Sequence, residues 1–259
     1  MGDFLDLSKF SKQSFINEGS FGKVYKVIEN LTKEICACKI SIQEINDCED
    51  SEIMNIEREL NVISQLDCPT ILKFIGFNPL NFKDEPRPTI LTEYIKNGSL
   101  DELLDNEQRG LSVKEWDDTK KLINIFGIAH GIQYMHSKNI IHRDLKPGNI
   151  FLDEYLFPKI GDFGLSKTLE NDLKSGLKGT YAYMSPEIFT SHQYGKPGDI
   201  YAFGMIVYEI ITGEKIFKGF SQIQLMFNVI QGYRPPFKFP IPNCYKELIS
   251  NCWSQDPKA

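Results

Sequence analysis

Two short segments carry most of the polar side chains that could do chemistry. His142 to Asn149 reads HRDLKPGN, and Asp162-Phe163-Gly164 begins thirteen residues after Asn149. Together the segments supply two acids, a lysine and a carboxamide in short turns. Hard divalent cations prefer oxygen ligands, and phosphate groups are bound by cations. The two segments therefore predict a site for a divalent metal and a phosphate.

A glycine-rich stretch near the amino terminus could also bind phosphate. Residues 16–25 read INEGSFGKVY, with Gly19 and Gly22 in place and Asn17 where a first glycine is expected. In a dinucleotide-binding fold such a loop opens a helix, but here the residues that follow predict a return strand. Val24 stands where a Walker loop needs Ser or Thr for its metal. The flanks therefore favour a phosphate loop between two strands.

A lysine on a predicted strand is a third candidate for phosphate binding. Alternation along residues 35–40 puts Ala37 and Lys39 on one face, and Ala37 is small enough to admit a flat base. A half-buried lysine is costly unless an anion meets it, although a snorkelling surface lysine fits the same pattern. In the predicted helix over 52–66, Glu57 and Glu59 both border the apolar face. Periodicity leaves open which of them pairs with Lys39.

The elements that must position these residues divide the chain into two parts. Short strands are predicted at 15–16, 24–27, 35–40, 72–77 and 89–94, with one helix at 52–66. Long helices are then predicted at 100–106, 116–137 and 199–211, the last ended by Gly213. The inner side of the helix over 116–137 is expected to carry Ile123, Phe126, Ile128 and Ile132. A strand-rich small lobe is therefore expected to join a helix-rich large lobe near residues 94–98.

The bulk composition argues against several classes of protein. The formal charge of −6 and pI near 5.4 disfavour a broad nucleic-acid surface, which needs Lys and Arg clusters. The longest apolar run, 203–211, is interrupted by Glu209 and is too short to span a bilayer. The six cysteines lack the spacing of a metal site, which favours reduced thiols in the cytoplasm. We therefore expect no nucleic-acid partner and no membrane insertion.

Taken in this order, the motifs resemble those of the protein kinases, from about Phe10 to the last residue. The resemblance implies an α+β, bilobal fold in a single domain over 1–259, with an N-lobe over 10–95 and a C-lobe over 96–259. It also implies phosphoryl transfer that depends on ATP and Mg²⁺. Asp144 would orient the acceptor hydroxyl and take its proton. Asn149 and Asp162 would bind magnesium, and Lys39 would hold the α and β phosphates.

The same resemblance assigns further nucleotide contacts. Family spacing to the segment CPTI at 68–71, which stands in the place of HPNI, selects Glu59 as the partner of Lys39. Thr92, Glu93 and Ile95 would lie in a hinge that binds adenine, with Thr92 as gatekeeper. Asp101 would reach the ribose, and Phe151 would form the floor of the adenine pocket. The remaining nucleotide contacts would be Asn17, Gly19, Ser20, Gly22, Val24 and Ala37.

Two residues favour Ser or Thr as the acceptor. Lys146, two residues after Asp144, follows the serine/threonine pattern of the family, and Thr180 in GTYAYMSPE is expected to bridge Asp144 and Lys146. The segments NGSL, GYRPP and CWSQDP resemble the tyrosine-kinase-like group, whose serine/threonine members combine these traits. The expected partners are proteins that carry Ser or Thr. The alternative is a pseudokinase or scaffold that binds nucleotide or partner proteins without catalysis.

The resemblance also predicts a regulated segment over 162–187. Arg143 precedes Asp144, a pattern that indicates control by a phosphate in this segment, added by an upstream kinase or by autophosphorylation. Ser175 is the first candidate for that phosphate and Thr168 the second. On the large lobe, Asp199 is expected to accept hydrogen bonds from backbone amides of the HRD turn.

The position at which the chain ends is expected to affect an ion pair that is usual in kinases. Kinases normally continue the segment CW-x-x-DP with an arginine that pairs with the glutamate of the A-P-E motif, here Glu187. This chain ends at Ala259, before that position, so a domain truncated before its final helix is expected. A buried carboxylate without its cation costs about 3 to 5 kcal/mol, and an extended chain is therefore expected to be more stable.

Overall fold

The computed structural model of this 259-residue chain describes residues 4–19, 22–45, 50–111, 113, 115–168 and 179–258. The chain divides into two units, Met1–Lys96 and Asn97–Ala259. The first unit is built around a sheet and the second is mainly helical, which confirms the predicted α+β class.

The described residues of the first unit form an antiparallel five-stranded sheet and one long helix. Its elements are β1 (Phe10–Gly19), β2 (Gly22–Glu29), β3 (Ile35–Ser41), α1 (Asp50–Ile63), β4 (Phe74–Asn78) and β5 (Thr89–Glu93). The strands lie in the order β1-β2-β3-β5-β4, and each neighbouring pair is antiparallel. The predicted hairpin around the glycine-rich stretch is confirmed, because β1 and β2 pair up to Gly19 and Gly22.

Strand β3 has one buried face and one partly exposed face. Cys36, Cys38 and Ile40 are buried in an apolar cluster that also contains Leu7 and Phe10. Burial raises the pKa of the Cys38 thiol to about 12. Ala37 and Lys39 alternate with these residues and are only partly buried. The predicted alternation is confirmed, because successive side chains of a strand point to opposite faces.

The second unit contains six helices among the described residues and two small two-stranded sheets. The helices are α2 (Leu100–Gln108), α3 (Asp118–Ser137), α4 (Pro186–Ser191), α5 (Lys196–Thr212), α6 (Gln222–Ile230) and α7 (Asn243–Cys252). The strands are β6 (Ile140–Ile141), β7 (Ile150–Leu152), β8 (Pro158–Ile160) and β9 (Lys167–Thr168). Strand β6 pairs with β9, and β7 pairs with β8. The turn between β6 and β7 carries the HRD motif.

Helix α5 forms the centre of the second unit. It is buried along almost its whole length and packs against α3 and α7. Gly204 permits close approach to α7, since an added Cβ would lie 2.7 Å from the Cβ of Cys252. The helix ends at Gly213 in the left-handed conformation, as predicted. In the described part of the chain, no helix is both long enough and apolar enough to cross a bilayer.

The prediction for the inner face of α3 was wrong at Phe126. Ile128 and Ile132 are buried as expected, but the side chain of Phe126 is 68% exposed. The buried stripe runs through Ile125, Ile128, Ile132 and Met135. Phe126 lies about 100° around the helix from Ile125, and so it faces outward.

Candidate active site

Asp144 lies in the turn between β6 and β7, where three side chains meet its carboxylate. Oδ1 accepts hydrogen bonds from the backbone N–H and the hydroxyl of Thr180, at 2.8 and 2.9 Å. Oδ2 accepts from Nζ of Lys146 at 2.8 Å and from Nδ2 of Asn149 at 3.2 Å. Nζ of Lys146 also donates to the hydroxyl of Thr180 at 2.9 Å. Thr180 therefore bridges Asp144 and Lys146, as the resemblance to the protein kinases implied.

This arrangement suits proton transfer from a hydroxyl group. The donors around the Asp144 carboxylate fix its orientation, which a general base needs in order to meet a substrate proton. The ammonium group of Lys146 lies beside it and can stabilise negative charge that develops on a nearby oxygen. The Asp144 carboxylate can therefore bind and deprotonate a hydroxyl, while Lys146 stabilises the negative charge that develops on the oxygen.

Asp199, on α5, fixes the backbone of the same turn. Its carboxylate is buried and accepts hydrogen bonds from the backbone N–H groups of His142 and Arg143, at 2.9 and 3.0 Å. This confirms the expectation for Asp199. Nε2 of His136, on α3, lies 2.9 Å from Oδ2 of Asp199. The sequence reasoning missed His136, because no motif marks it.

The described residues include Arg143 and Thr168 but not Ser175, among those predicted to take part in regulation. Arg143 is buried with a φ of 71°, and its guanidinium carbon lies 3.9 Å from the centre of the Tyr194 ring. Thr168 is the last residue of β9 and pairs with Ile140 of β6. Ser175 lies outside the described residues. The phosphorylation of Ser175 or Thr168 therefore stays a prediction.

Asn149 and Asp162 carry the oxygen atoms expected to bind a metal. Nδ2 of Asn149 is used in a hydrogen bond to the backbone oxygen of Asp144 at 2.8 Å, which leaves the amide oxygen for a cation. Asp162 is exposed and has a φ of 60°, while its neighbour Phe163 is buried against His142 at a ring distance of 5.3 Å. The described residues contain no cluster of three or more His, Cys, Asp or Glu suited to a metal. One carboxylate and one amide fit Mg²⁺, which keeps waters and substrate phosphates as its other ligands.

In the first unit, Lys39 has an acidic partner on α1. Its Nζ lies 2.9 Å from Oε1 of Glu59, and both side chains are mostly buried. Glu57, the other glutamate that the sequence allowed, is exposed. The structure therefore places Glu59 beside Lys39, in agreement with the family spacing.

The two glycines of the glycine-rich stretch have different surroundings. An added Cβ at Gly22 would lie 2.7 Å from the backbone oxygen of Ile40, whereas one at Gly19 would meet nothing within 4 Å. Asn17 pairs with Val24 across the hairpin, next to an irregularity in β1, and its Oδ1 accepts from the N–H of Glu18 at 2.7 Å. Ser20 lies outside the described residues. Close packing against β3 therefore explains why position 22 is a glycine. Beside Gly19 there is open space that a ligand could fill.

The predicted hinge residues begin in β5. Thr92 pairs with Ala37 of β3, and its hydroxyl donates to the backbone oxygen of Glu93 at 3.3 Å. Glu93 is fixed by Lys73, whose backbone N–H donates to Oε1 of Glu93 at 2.8 Å. Ile95 follows β5 and is partly exposed. The roles of Thr92, Glu93 and Ile95 in adenine binding stay predictions.

Asp101 and Phe151 lie near the start of α2. Asp101 is on α2 and forms an ion pair with Lys215, a contact that the sequence reasoning missed. Phe151, in β7, forms an isolated bridge with Ser99, and Ser99 caps the start of α2. The proposed ribose contact of Asp101 therefore concerns a carboxylate that already has a cation beside it.

Glu209, on α5, is a buried carboxyl that the motifs do not explain. It is 1% exposed, and it accepts hydrogen bonds from the hydroxyl of Tyr183 at 2.8 Å and the backbone N–H of Ile216 at 3.0 Å. Burial raises the pKa of Glu209 to about 7, although these two hydrogen bonds and the charge of Lys215 oppose the shift. In the sequence it is recognisable only as the one charge within the apolar run 203–211.

The sequence of this chain matches a known family. The model of the protein kinase domain matches residues 10–259. The chain belongs to the protein kinase domain family. The kinase domain is 32% identical over 255 residues to a probable serine/threonine-protein kinase of Dictyostelium discoideum, covering 98% of this chain and 26% of the relative.

Two further relatives differ in the acceptors that their names state. The serine/threonine-protein kinase VIK of Arabidopsis thaliana is 34% identical over 262 residues, covering 95% of the kinase domain and 56% of the relative. The dual specificity protein kinase shkE of Dictyostelium discoideum is 28% identical over 253 residues, covering 95% and 34%. The chain thus spans between about a quarter and just over half of the length of these relatives.

Proposed function

We propose that this kinase domain transfers the γ-phosphoryl group of ATP to Ser or Thr hydroxyls of protein substrates, as a signalling enzyme. The observation that carries the proposal is the bridge that Thr180 makes between Asp144 and Lys146. A carboxylate oriented by an ammonium and a hydroxyl group suits the activation of an alcohol. The names of two of the relatives support the same class of acceptor.

Each residue of the proposed machinery has a separate task. Asp144 orients the acceptor hydroxyl and takes its proton, and Lys146 stabilises the charge that develops during transfer. In the first unit, Lys39 holds the α and β phosphates, and Glu59 keeps the Lys39 ammonium in place. Magnesium, when it is bound with ATP, supplies positive charge that neutralises the phosphate oxygens.

The metal and the nucleotide are proposed to bind to the following residues of the chain. Asn149 offers its amide oxygen and Asp162 its carboxylate to the cation. Thr92, Glu93 and Ile95 bind adenine in the hinge, and the other contacts follow the family pattern. Those other contacts are Asn17, Gly19, Ser20, Gly22, Val24, Ala37, Asp101 and Phe151.

We extend the proposal to regulation and location. Phosphorylation at Ser175 or Thr168, by an upstream kinase or by the domain itself, would add a phosphate that regulates activity through the segment over 162–187. A cytoplasmic location is supported by the spacing of the six cysteines, which is unlike the dense pattern of a small secreted scaffold.

A phosphotransfer assay tests the proposal. The purified chain is incubated with γ-labelled ATP, Mg²⁺ and dephosphorylated casein, and the labelled amino acids are separated after hydrolysis. Phosphoserine or phosphothreonine is expected with the wild type and neither with Lys39→Met. Label in phosphotyrosine as well would indicate dual specificity, as the name of one relative suggests. Nucleotide binding without any transfer would favour the scaffold alternative.

A further inference from the structure

Lys215, in the loop after α5, binds two acids on a different helix. Its ammonium group forms ion pairs with Asp101 and with Asp105, the second at 3.3 Å. Burial acts to lower the pKa of Lys215. The hydrogen bond with Asp101 and the negative charges of Glu209, Asp101 and Asp105 outweigh burial and raise that pKa. Lys215 is therefore a charged link between its loop and α2.

Helix α2 holds the same loop at a second point. Nε2 of Gln108, the last residue of α2, donates to the backbone oxygen of Gly213 at 2.9 Å. Gly213 has a φ of 66° and turns the chain out of α5. The loop over 213–216 is thus fixed to α2 at its first and third residues.

The other side of this loop binds Glu209. The backbone N–H of Ile216, the residue after Lys215, donates to Oε1 of Glu209 at 3.0 Å. Oε2 of Glu209 accepts from the hydroxyl of Tyr183 at 2.8 Å. Because Glu209 is buried, each of these bonds is costly to lose. The carboxyl group therefore connects the loop to Tyr183.

Tyr183 belongs to the turn that carries Thr180. Thr180 precedes the short 3-10 turn Tyr181–Tyr183, and the backbone N–H of Tyr183 donates to the backbone oxygen of Thr180 at 3.0 Å. Thr180 in turn donates to Asp144 through its N–H and its hydroxyl. A series of polar contacts thus runs from α2 to Asp144, joined by the covalent chain from Lys215 to Ile216 and within Tyr183.

The geometry points to Lys215 as a positioning residue for phosphoryl transfer. By pairing with α2 it holds the loop over 213–216, and through Glu209 and Tyr183 it keeps Thr180 beside Asp144. This inference rests on the proposed kinase activity and adds a residue that lies outside the family motifs quoted above. Without the cation, Asp101 and Asp105 would face each other across one helical turn and repel.

Kinetics of Lys215→Met test the role. This change keeps the alkyl chain and removes the charge, so the Michaelis constant for casein is expected to rise about fivefold, within the range for coupled neighbours. The Michaelis constant for ATP should stay within about twofold. Lys215→Arg should restore the casein value, because it keeps a cation. The matched control is Lys218→Met, because Lys218 is exposed and lies three residues later. This change should leave both Michaelis constants unaltered.

A double-mutant cycle with Tyr183→Phe shows whether Lys215 acts through Tyr183. If the series of contacts carries the effect, Lys215→Met should add less than about twofold in the Tyr183→Phe background. Independent, multiplicative effects of the two changes would overturn the inference. A rise in the Michaelis constant for ATP alone would also overturn it, because Lys215 would then act through Asp101.

Hydrogen exchange separates this inference from the proposed activity. Amides of residues 180–183 should exchange at least about threefold faster in Lys215→Met than in Lys218→Met, at a temperature where both variants are folded. Faster exchange in a chain that shows no transfer would refute the proposed function, but it would still show that Lys215 holds the turn that carries Thr180. Unchanged exchange would overturn the positioning role, whether or not the chain is active.

Discussion

Thr180 is bound to Asp144 twice, through its backbone N–H at 2.8 Å and through its hydroxyl at 2.9 Å. The backbone bond survives substitution by any residue other than proline, whereas the second bond is lost when the new side chain has no hydroxyl. The same hydroxyl also accepts from Lys146. The hydroxyl of Thr180 therefore contacts both Lys146 and Asp144, and a side chain without a hydroxyl would lose both contacts.

Thr180→Ala is expected to lower kcat/KM for the protein acceptor by about tenfold or more. A hydrogen bond to a charged group contributes about 1.5 to 3 kcal/mol, and this change removes two such bonds. Thr180→Ser keeps the hydroxyl and should stay within about threefold of wild type. Initial rates at fixed ATP measure both variants. Equal losses in Ala and Ser would show that the hydroxyl is immaterial.

Glu59→Gln is expected to reduce kcat/KM for ATP by at least about tenfold. The change removes the charge that holds Lys39, and a mostly buried lysine without its anion is unfavourable. Glu57→Gln is the matched control, since Glu57 lies two residues earlier on α1 and is exposed. The same steady-state assay serves for both. A larger loss with Glu57→Gln than with Glu59→Gln would contradict the pairing.

Glu209 makes the stability of the domain depend on pH. Its pKa is raised from an ordinary value near 4.5 to about 7, so the folded protein holds a proton that the unfolded chain has lost in this window. The stabilising contribution is therefore complete below about pH 4.5 and disappears as the pH rises through 7. The total change is about 3 kcal/mol, at 1.36 kcal/mol for each pKa unit.

Comparison with Glu209→Gln isolates this contribution, because Gln keeps the shape of the side chain and does not titrate. The free energy of unfolding of the wild type, minus that of Glu209→Gln, should fall as the pH rises from 5 to 8. Urea titrations at four pH values measure it. If this difference in the free energy of unfolding stays constant from pH 5 to 8, the raised pKa of Glu209 is contradicted.

Gly22→Ala is expected to destabilise the first unit, whereas Gly19→Ala is not. A Cβ at Gly22 would lie 2.7 Å from the backbone oxygen of Ile40, which cannot move without disturbing β3. Overpacking of this kind costs about 1 to 3 kcal/mol. Thermal melting of the two variants measures the difference. A melting temperature for Gly22→Ala that equals that of Gly19→Ala would show that the hairpin adjusts freely.

The sequence predicted the parts of the site that depend on local spacing. Asp144, Lys146 and Asn149 lie within six residues of one another, and their arrangement follows from the short turns that carry them. The faces of β3 follow from the two-residue period of a strand. On α3, apolar residues occur on both sides of the helix, and so periodicity alone did not exclude Phe126 from the core.

The missed contacts join residues that are far apart in the chain. His136 and Asp199 are separated by 63 residues, and Lys215 and Asp101 by 114. Neither pair has a fixed local spacing, since each depends on how α2, α3 and α5 pack. Periodicity left Glu57 and Glu59 open for a related reason, because both border the apolar face of α1. The family spacing selected Glu59, and the packed structure confirms that Glu59 meets Lys39.

The central claim is that Asp144 activates the acceptor hydroxyl for phosphoryl transfer. Its most direct test is the initial rate of transfer from Mg²⁺-ATP to casein by wild type and by Asp144→Asn, with circular dichroism to confirm that both are folded. Asn keeps the size of the side chain but cannot take the proton, and a general base typically contributes 10²–10⁴-fold. The account predicts a fall of at least about 100-fold. A folded Asp144→Asn variant within threefold of an active wild type would contradict it.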